Sequence, residues 1–410
     1  MSSDQHFVIV GGGLGAAKIA EALRAKDFDG IVTLIGAEEH LPYERPPLSK
    51  EHLAGKKSFP EFIVDPAQWY RDHHIDVRLG TTVTGLDAAA KTITLPDGST
   101  LSYDKLALAT GSTPRTLPVP GADAPNVYTL RTIEDSDTLI ELFGSARRIV
   151  IIGAGWIGLE VAAAARAAGV EVTIVERGDL PLRAALGPEM GQVFADLHRA
   201  NGVDFRFEAQ VEAITTEEAI ATDVANGVRL ADGSTIQADA VLVAVGARPN
   251  VELAADAGLA VDDGVLVDER LATSDPDIVA VGDIAAQQHP VLGRRIRVEH
   301  WANALNQPEV AAATMLGKQA AYDRLPYFFT DQYDLGMEYT GFAAPQEYAK
   351  VVVRGDAATR EFVAFWLDSA DRVLAGMNVN VWDVTDRIKE LILAGEPVDP
   401  DRLADTATDL

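Results

Sequence analysis

The most informative absence in this chain is that of cysteine, which does not occur among its 410 residues. A chain without thiols forms no disulfide and uses no thiolate nucleophile. It also supplies no cysteine ligand to zinc or to an iron–sulfur cluster. The eight histidines show no HExxH-like spacing, so we predict no metal site.

Long apolar runs are also lacking. No uninterrupted apolar stretch approaches the roughly 18 residues that a membrane span needs. The polar lead carries Asp4 and no lysine or arginine before the apolar run Phe7–Val10, which makes it a poor signal peptide. We therefore expect a cytoplasmic protein without a membrane partner. The net charge of −27 would repel nucleic acid, which is not an expected partner either.

The first motif present begins near residue 7. The apolar run Phe7–Val10 predicts a buried strand and leads into a GxGxxA turn, whose residues are Gly11, Gly13, Leu14, Gly15 and Ala16. A helix is predicted to follow, then a strand at 31–35, and Glu38 comes next. In a Rossmann unit the glycines permit a tight turn and a close approach of the backbone to a pyrophosphate. The helix N-terminus favours phosphates, and the terminal acid can bind ribose.

A second motif repeats this order. The apolar run at 149–152 precedes a full GxGxxG turn containing Gly153, Gly155, Trp156, Ile157 and Gly158. An alanine-rich helix and a strand at 172–175 follow, and the strand ends at Glu176. A single GxGxxG motif is weak evidence for a dinucleotide site. Each turn here, however, has a strand before it and a helix, a second strand and an acidic residue after it, in the order that a Rossmann unit requires. Two dinucleotide sites in one chain are typical of a flavoprotein that is reduced by a nicotinamide.

The segment at 41–50, LPYERPPLSK, closely resembles the PYxRPPLSK stretch of FAD-dependent NADH:ferredoxin reductases of oxygenase systems. This family includes putidaredoxin reductase and the biphenyl dioxygenase reductases, and apoptosis-inducing factor is a distant relative. Further resemblances occur in order along the whole chain, at 109–111 (ATG), 246–250 (GARPN), 281–283 (VGD), 298–304, 326–333 and 376–378. The resemblance implies an α/β fold on the glutathione-reductase-like flavoprotein plan. This plan has two Rossmann-like dinucleotide-binding domains and, in addition, a C-terminal α+β domain.

The resemblance also implies the cofactors, FAD and NADH, and their binding residues. For FAD these are Gly11, Gly13, Leu14, Gly15, Ala16, Glu38, Arg45, Lys50, Val83, Ala109, Thr110, Gly111, Arg131, Gly282, Asp283 and Trp301. For NAD they are Gly153, Gly155, Trp156, Ile157, Gly158, Glu176 and Gly246.

The catalytic residues that the resemblance implies are Lys50, Glu160 and Trp301. Lys50 is expected beside the flavin N5 edge and paired with Glu160, while Trp301 packs near the ring. Phe329 and Thr330 depart from the Trp-Ser of many relatives, so the aromatic wall near the flavin is expected to differ. Since the related disulfide reductases need cysteine, electrons must leave directly from the flavin. Glu176 would repel the 2′-phosphate of NADPH by roughly 1–4 kcal/mol, which favours NADH, although the adjacent Arg177 would soften this preference.

We predict an FAD domain at 1–112 and 246–320, an NADH domain at 113–245 and a C-terminal domain at 321–410. The last is expected to contain an antiparallel sheet and a helix from about 385 to 393. The expected partner is a 2Fe–2S ferredoxin, which is usually acidic and would therefore dock on a local positive patch. The candidate patch is Arg294, Arg295 and Arg297, and a solvated arginine face is an equal alternative. We expect a monomer or a homodimer.

Two other functions fit the same sequence. One is an oxidase or reductase that acts on oxygen, a quinone or a monodehydroascorbate-type radical. The other is an NADH-sensing flavoprotein that resembles apoptosis-inducing factor and turns over slowly. Acceleration of NADH oxidation by ferredoxin would separate the first from a ferredoxin reductase. A persistent charge-transfer absorbance would indicate the second.

Overall fold

A computed structural model describes residues 4–217 and 223–410. The chain divides into two compact units. The first unit comprises Met1–Glu44, Phe59–Thr113 and Arg248–Pro326, and the second comprises Arg45–Ser58, Pro114–Ala247 and Tyr327–Leu410. Among the described residues, none of the helices has the length and apolar character that crossing a membrane requires. The three predicted domain boundaries remain a prediction.

The first unit opens with a Rossmann-like sheet. Its first segments contain β1 His6–Val10, α1 Leu14–Ala25, β2 Ile31–Ile35, α2 Ala67–Asp72, β3 Ile75–Arg78, β4 Gly85–Asp87, β5 Thr92–Thr94, β6 Thr100–Ser102, β7 Lys105–Leu108 and β8 Ser112–Pro114, whose last residue belongs to the second unit. Strand β1 lies between β2 and β7 and runs parallel to both, with β3 beyond β2. The residues of β1 are almost fully buried, as the apolar run predicts. Strands β4, β5 and β6 form a separate antiparallel meander.

The second unit repeats the design. The stretch of chain from 127 to 249, whose last two residues belong to the first unit, contains β9 Val127–Tyr128, α3 Ile133–Phe143, β10 Arg148–Ile152, α4 Trp156–Ala167, β11 Glu171–Val175, α5 Arg183–Ala200, β12 Val203–Arg206, β13 Val211–Glu217, β14 Val224–Leu230, β15 Thr235–Gln237, β16 Ala240–Val243 and β17 Ala247–Pro249. The parallel sheet has the order β12-β11-β10-β16-β9. Strands β13, β14 and β15 are antiparallel.

The chain then returns to the first unit. This segment contains α6 Glu252–Asp256, β18 Val261–Asp262, β19 Gly264–Val267, β20 Ile278–Ala280, β21 Ala285–His289, β22 Arg294–Arg297 and α7 Trp301–Met315. Strand β20 pairs in parallel with β7 and completes the order β20-β7-β1-β2-β3. The carboxyl ends of β1, β7 and β20 therefore lie along the same edge, which is where ligands bind in open α/β sheets.

The C-terminal part of the second unit is α+β. It contains β23 Tyr327–Gln332, β24 Leu335–Gly341, β25 Lys350–Asp356, β26 Glu361–Leu367, β27 Val373–Val379, α8 Thr385–Ala394 and α9 Pro400–Ala404. The strands form an antiparallel sheet in the order β23-β24-β27-β26-β25. Helix α8 covers this sheet by placing Ile388, which is fully buried, against Gly376 of β27. The predicted sheet and helix are both present.

Candidate dinucleotide sites and the Lys50–Glu160 cluster

The first glycine turn joins β1 to α1. Gly11 has a φ of +141°, and a Cβ added to it would collide with the carbonyl oxygen of Ala109, so the fold itself requires glycine there. Gly13 differs, because its backbone is extended and, apart from its chain neighbours, no atom of the described residues lies within 4 Å of where its Cβ would be. Packing therefore gives no reason for glycine at this position. It keeps the surface at the N-terminus of α1 open, as a pyrophosphate requires.

An acid follows β2, as the first motif predicts. Tyr43, which is only 2% exposed, donates a hydrogen bond of 2.5 Å to the Glu38 carboxylate. The backbone carbonyl of Glu38 also accepts the amide of Gly80 at 3.0 Å. The first bond fixes the carboxylate and the second fixes the backbone of Glu38 just after the strand, where the side chain can accept ribose hydroxyls.

The segments at 109–111 and 282–283 follow β7 and β20 at the same sheet edge. Thr110 exchanges two hydrogen bonds with Asn250, of 2.8 and 2.9 Å, and so ties the ATG segment to the GARPN segment. Asp283 accepts a hydrogen bond of 2.7 Å from Ser112, and the amide of Gly282 donates at 2.7 Å to Gln307. The sequence motifs contain Asn250. They do not reveal Gln307, which reaches the site from α7.

In the second turn, between β10 and α4, the first glycine is again required by the backbone and the middle glycine is not. Gly153 has a φ of +104°, and its added Cβ would meet the carbonyl oxygen of Ala244. Apart from its chain neighbours, no described residue has an atom within 4 Å of a Cβ on Gly155, whereas a Cβ on Gly158 would strike the carbonyl of Gly153. Of the three glycines in this turn, only Gly155 has open space where a side chain would be.

Glu176 is held against this turn. Its carboxylate accepts backbone hydrogen bonds from Ala154 and Gly178, both of 2.8 Å. Two N–H donors fix the orientation of the carboxylate. An oriented acid at the end of the second strand is what recognition of an unphosphorylated ribose requires.

The remaining predicted NAD residues flank the same turn. Trp156 packs against Phe328, with 4.3 Å between ring centroids, while Ile157 is 41% exposed. Gly246 has a φ of +95°, and its carbonyl accepts the amide of Arg115 at 2.9 Å.

A buried carboxylate lies at the centre of a polar cluster in the second unit. Glu160, on α4, accepts hydrogen bonds from Lys50 at 2.7 Å, Thr330 at 2.6 Å and Ser49 at 2.5 Å. The side chains of Lys50 and Glu160 are 8% and 3% exposed. A buried ion pair is tolerated when further hydrogen bonds satisfy its remaining polar capacity, and the two hydroxyls do this. The structure thus brings together the predicted pair and adds Ser49, which the motifs did not single out.

Two further side chains lie close to this pair. The Lys50 ammonium lies 5.5 Å from the ring centroid of Phe329, within the range of a cation–π interaction. Burial raises the pKa of the Asp331 carboxyl; Lys50 opposes this shift, and Glu160 adds to it. Lys50 therefore interacts with two carboxyl groups, of Glu160 and Asp331, and with one aromatic ring.

The other predicted FAD residues fall into the two units. Arg45 and Arg131 belong to the second unit, where the Arg45 guanidinium donates to the Arg131 carbonyl. Val83 and Trp301 belong to the first, Val83 between β3 and β4 and Trp301 at the first residue of α7. Their predicted contacts with the flavin remain predictions.

The three arginines of the candidate patch lie on β22. Arg295 is exposed, although its guanidinium donates to the carbonyls of Val267 and Ala286. Arg297 pairs with Asp263 at 3.0 Å and with Glu299 at 2.5 Å, and its side chain is 11% exposed. Two carboxylates therefore compensate the charge of Arg297, a fact that counting arginines in the sequence could not show.

These two glycine turns, each with an oriented acid, define an oxidoreductase of the two-dinucleotide class. The family model described as pyridine nucleotide-disulphide oxidoreductase matches residues 5–307, and that described as reductase C-terminal matches 327–410. The chain therefore belongs to the pyridine nucleotide-disulphide oxidoreductase family, among the ferredoxin reductases of oxygenase systems. The predicted resemblance and the predicted fold class are confirmed.

Similar proteins match over almost their whole length. The chain is 41% identical to the 5,5′-dehydrodivanillate O-demethylase ferredoxin reductase subunit of Sphingobium sp., covering 99% of this chain and 98% of that protein. It is also 41% identical to the anthranilate 1,2-dioxygenase system ferredoxin–NAD(+) reductase component of Burkholderia cepacia, over 100% and 99%. The reductase in a crystal structure of the covalent putidaredoxin reductase–putidaredoxin complex superposes with a TM-score of 0.94 at 36% identity, over 99% and 97%.

Family membership implies FAD and NAD(H) as cofactors, as predicted. The turns fit both, because each leaves open space around its middle glycine and directs the N-terminus of a helix toward that space.

Proposed function

We propose that this flavoprotein takes electrons from NADH and delivers them singly to a 2Fe–2S ferredoxin that supplies a cytochrome P450 or Rieske-type oxygenase. The observation that carries the proposal is the duplicated dinucleotide turn in a chain without cysteine. No thiol of this chain can take electrons from the flavin, so the acceptor must be another molecule. Relatives named as ferredoxin reductases over the full length of the chain support a ferredoxin in that role.

FAD, when bound, supplies a ring that accepts hydride from NADH and releases electrons one at a time. The chain holds and orients both dinucleotides. We assign Gly13 and Gly282–Asp283 to FAD, and Gly155 and Glu176 to NADH. Lys50 would present its charge to the N5 edge of the flavin, Glu160 would fix Lys50 in place, and Trp301 would pack near the ring. This assignment of residues follows the predicted domains: an FAD domain at 1–112 and 246–320, an NADH domain at 113–245 and a C-terminal domain at 321–410. We place the protein in the cytoplasm.

Glu176 supports NADH as the donor. Its two backbone donors keep a negative charge at the end of β11, where the 2′-phosphate of NADPH would have to approach. At about 4 Å this repulsion is roughly 1–4 kcal/mol, depending on the effective dielectric. We therefore assign NADH as the preferred nicotinamide.

The proposed docking surface for an acidic ferredoxin is the arginine patch of β22. Because Arg297 is already paired with two carboxylates, its own share of the attraction would be reduced. The net charge of −27 repels an acidic partner at long range, so docking depends on such a local patch.

The test is NADH oxidation by the purified holoprotein with oxygen alone, with quinones, and with 2Fe–2S ferredoxins coupled to cytochrome c. We expect a suitable ferredoxin to accelerate turnover at least about tenfold over oxygen, a change of about 1.4 kcal/mol in the barrier. Faster turnover with a quinone than with any ferredoxin would instead identify a small-acceptor reductase. Persistent charge-transfer absorbance with slow turnover would indicate an NADH sensor.

Docking is tested separately with Arg294→Glu and Arg295→Glu at low salt. The control is Arg229→Glu, which makes the same change in net charge on β14 of the second unit. We expect the two patch variants to weaken the apparent affinity for ferredoxin and the control to leave it unchanged. Equal effects of all three variants would mean that net charge acts, and that the patch does not.

A further inference from the structure

A line of side-chain hydrogen bonds leads from the Lys50–Glu160 pair into the interior of the second unit. Thr330 donates to Glu160 at 2.6 Å and receives a hydrogen bond of 3.1 Å from Gln332. Gln332 in turn bonds to His198 of α5 at 2.8 Å. Three elements of the second unit, α4, β23 and α5, therefore meet through one continuous polar line.

This line is dry. Thr330 and His198 are fully buried, and Gln332 is 1% exposed. Burying a polar group costs free energy unless the group is hydrogen-bonded. This chain of hydrogen bonds therefore keeps one arrangement, because breaking any of them would leave a buried donor or acceptor without a partner. Its geometry is therefore fixed by the fold.

The protons along the line point toward Glu160. Burial lowers the pKa of His198 to about 4, so its ring is neutral at pH 7 and carries one N–H. With that N–H on Nε2, His198 donates to the Gln332 carbonyl oxygen, and the Gln332 amide must then donate to Thr330. Since an amide N–H cannot accept, the single Thr330 proton goes to the Glu160 carboxylate.

Strand β23 thus holds the ion pair from two sides. Thr330 and Gln332 are two residues apart and share one face of the strand, while Phe329, on the other face, lies 5.5 Å from the Lys50 ammonium. The oxygen of Glu160 that binds Lys50 is the one that Thr330 also binds. Moving Thr330 would therefore move the anion that orients Lys50.

We propose that Thr330, Gln332 and His198 are positioning residues that hold the Glu160 carboxylate directed at Lys50, and so fix where Lys50 presents its ammonium to the flavin. This inference rests on the proposed function. It goes beyond that function by assigning a role in the reaction to residues of the C-terminal sheet and of α5.

The central variant is Thr330→Val, which removes the hydroxyl and keeps a branched side chain. Thr330→Ser is the conservative variant that retains the donor. The matched control is Thr340→Val on the adjacent strand β24, where the threonine is 2% exposed and is not a donor to Glu160. Any general effect of replacing a buried threonine hydroxyl by a methyl group is common to both valine variants. Only the effects on Lys50 distinguish them.

The holoproteins are compared by three measurements. These are the limiting rate of flavin reduction by NADH under anaerobic rapid mixing, the flavin midpoint potential by dye equilibration, and the rate at which acetic anhydride labels Lys50. We expect Thr330→Val to slow the limiting rate about tenfold, as loss of one hydrogen bond to a charged group would do. The NADH dissociation constant should not change. The potential should become more negative, labelling should accelerate, and Thr330→Ser should restore all three.

The inference is overturned if Thr330→Val matches Thr340→Val in rate, potential and labelling, or if Thr330→Ser behaves like Thr330→Val. If Thr330→Val does not fold, Gln332→Met replaces it with the same expectations, because methionine fills the space without donating. A wild-type flavin that NADH does not reduce would instead contradict the proposed function. Normal wild-type reduction with indifferent variants would contradict this inference alone.

Discussion

Replacing Gly11 or Gly13 of the first turn by alanine should affect different properties: the stability of the fold at Gly11 and the affinity for FAD at Gly13. At Gly11 the φ of +141° and the approach of the Ala109 carbonyl both oppose a side chain. A non-glycine residue in such a conformation costs about 1–3 kcal/mol, and the collision adds to this. At Gly13 the φ of −100° is ordinary, and the described residues leave space for a methyl group. Gly13→Ala should therefore change the free energy of unfolding of the apoprotein by less than about 0.5 kcal/mol.

FAD binding should show a separate effect. An alanine at Gly13 would hold the pyrophosphate away from the N-terminal amides of α1. Losing one hydrogen bond to a charged phosphate costs about 1.5–3 kcal/mol, which is roughly a ten- to 150-fold weaker dissociation constant.

Urea unfolding of both apoproteins and titration with FAD by flavin fluorescence provide the measurements. We expect Gly11→Ala to lower the urea midpoint and Gly13→Ala to leave it unchanged while weakening FAD binding. Wild-type FAD affinity in Gly13→Ala, or equal destabilisation by both variants, would refute the assignment of this turn to a dinucleotide.

Three further outcomes are expected. Glu160→Gln leaves the Lys50 ammonium buried without its counter-charge and should lower the free energy of unfolding by about 3–5 kcal/mol, whereas Lys50→Met combined with Glu160→Met should cost less. Glu176→Gln removes the repulsion of a 2′-phosphate and should raise the ratio of kcat/KM with NADPH to that with NADH about tenfold. Because the fold lowers the pKa of His198 from 6.5 to about 4, its contribution to stability is complete above pH 6.5 and is lost as the pH falls toward 4. Between pH 8 and pH 5 this loss is about 2 kcal/mol, and His198→Gln should remove it.

Each of these has an outcome that would contradict it. For the ion pair, it is a Glu160→Gln protein as stable in thermal unfolding as the wild type. For the nicotinamide, it is an unchanged cofactor ratio in steady-state kinetics. For His198, it is a Gln variant whose unfolding free energy falls with pH as steeply as that of the wild type.

The sequence predicted the dinucleotide turns well because their residues are close together in the chain. Gly11, Gly153 and Glu176 each follow a buried strand, and the physical demands on them are local. The antiparallel C-terminal sheet was equally visible, since its apolar runs are short and separated.

The buried cluster was only partly visible for the opposite reason. Ser49 and Thr330 reach Glu160 across 111 and 170 residues of sequence, and His198 reaches Gln332 across 134. No local pattern marks such partners, although Thr330 differs from the serine that many relatives have at its position. The arginine patch shows a related limit, because the compensation of Arg297 by Asp263 depends on contacts 34 residues apart.

The most direct test of the central claim is an anaerobic double-mixing experiment on the holoprotein. NADH is mixed first, and the flavin absorbance is followed until it is bleached; an oxidised 2Fe–2S ferredoxin is then added. We expect NADH to bleach the flavin, and the ferredoxin to restore its absorbance while the iron–sulfur centre is reduced. A flavin that NADH leaves oxidised would contradict the proposed electron path, as would a reduced flavin that stays bleached with every ferredoxin tried.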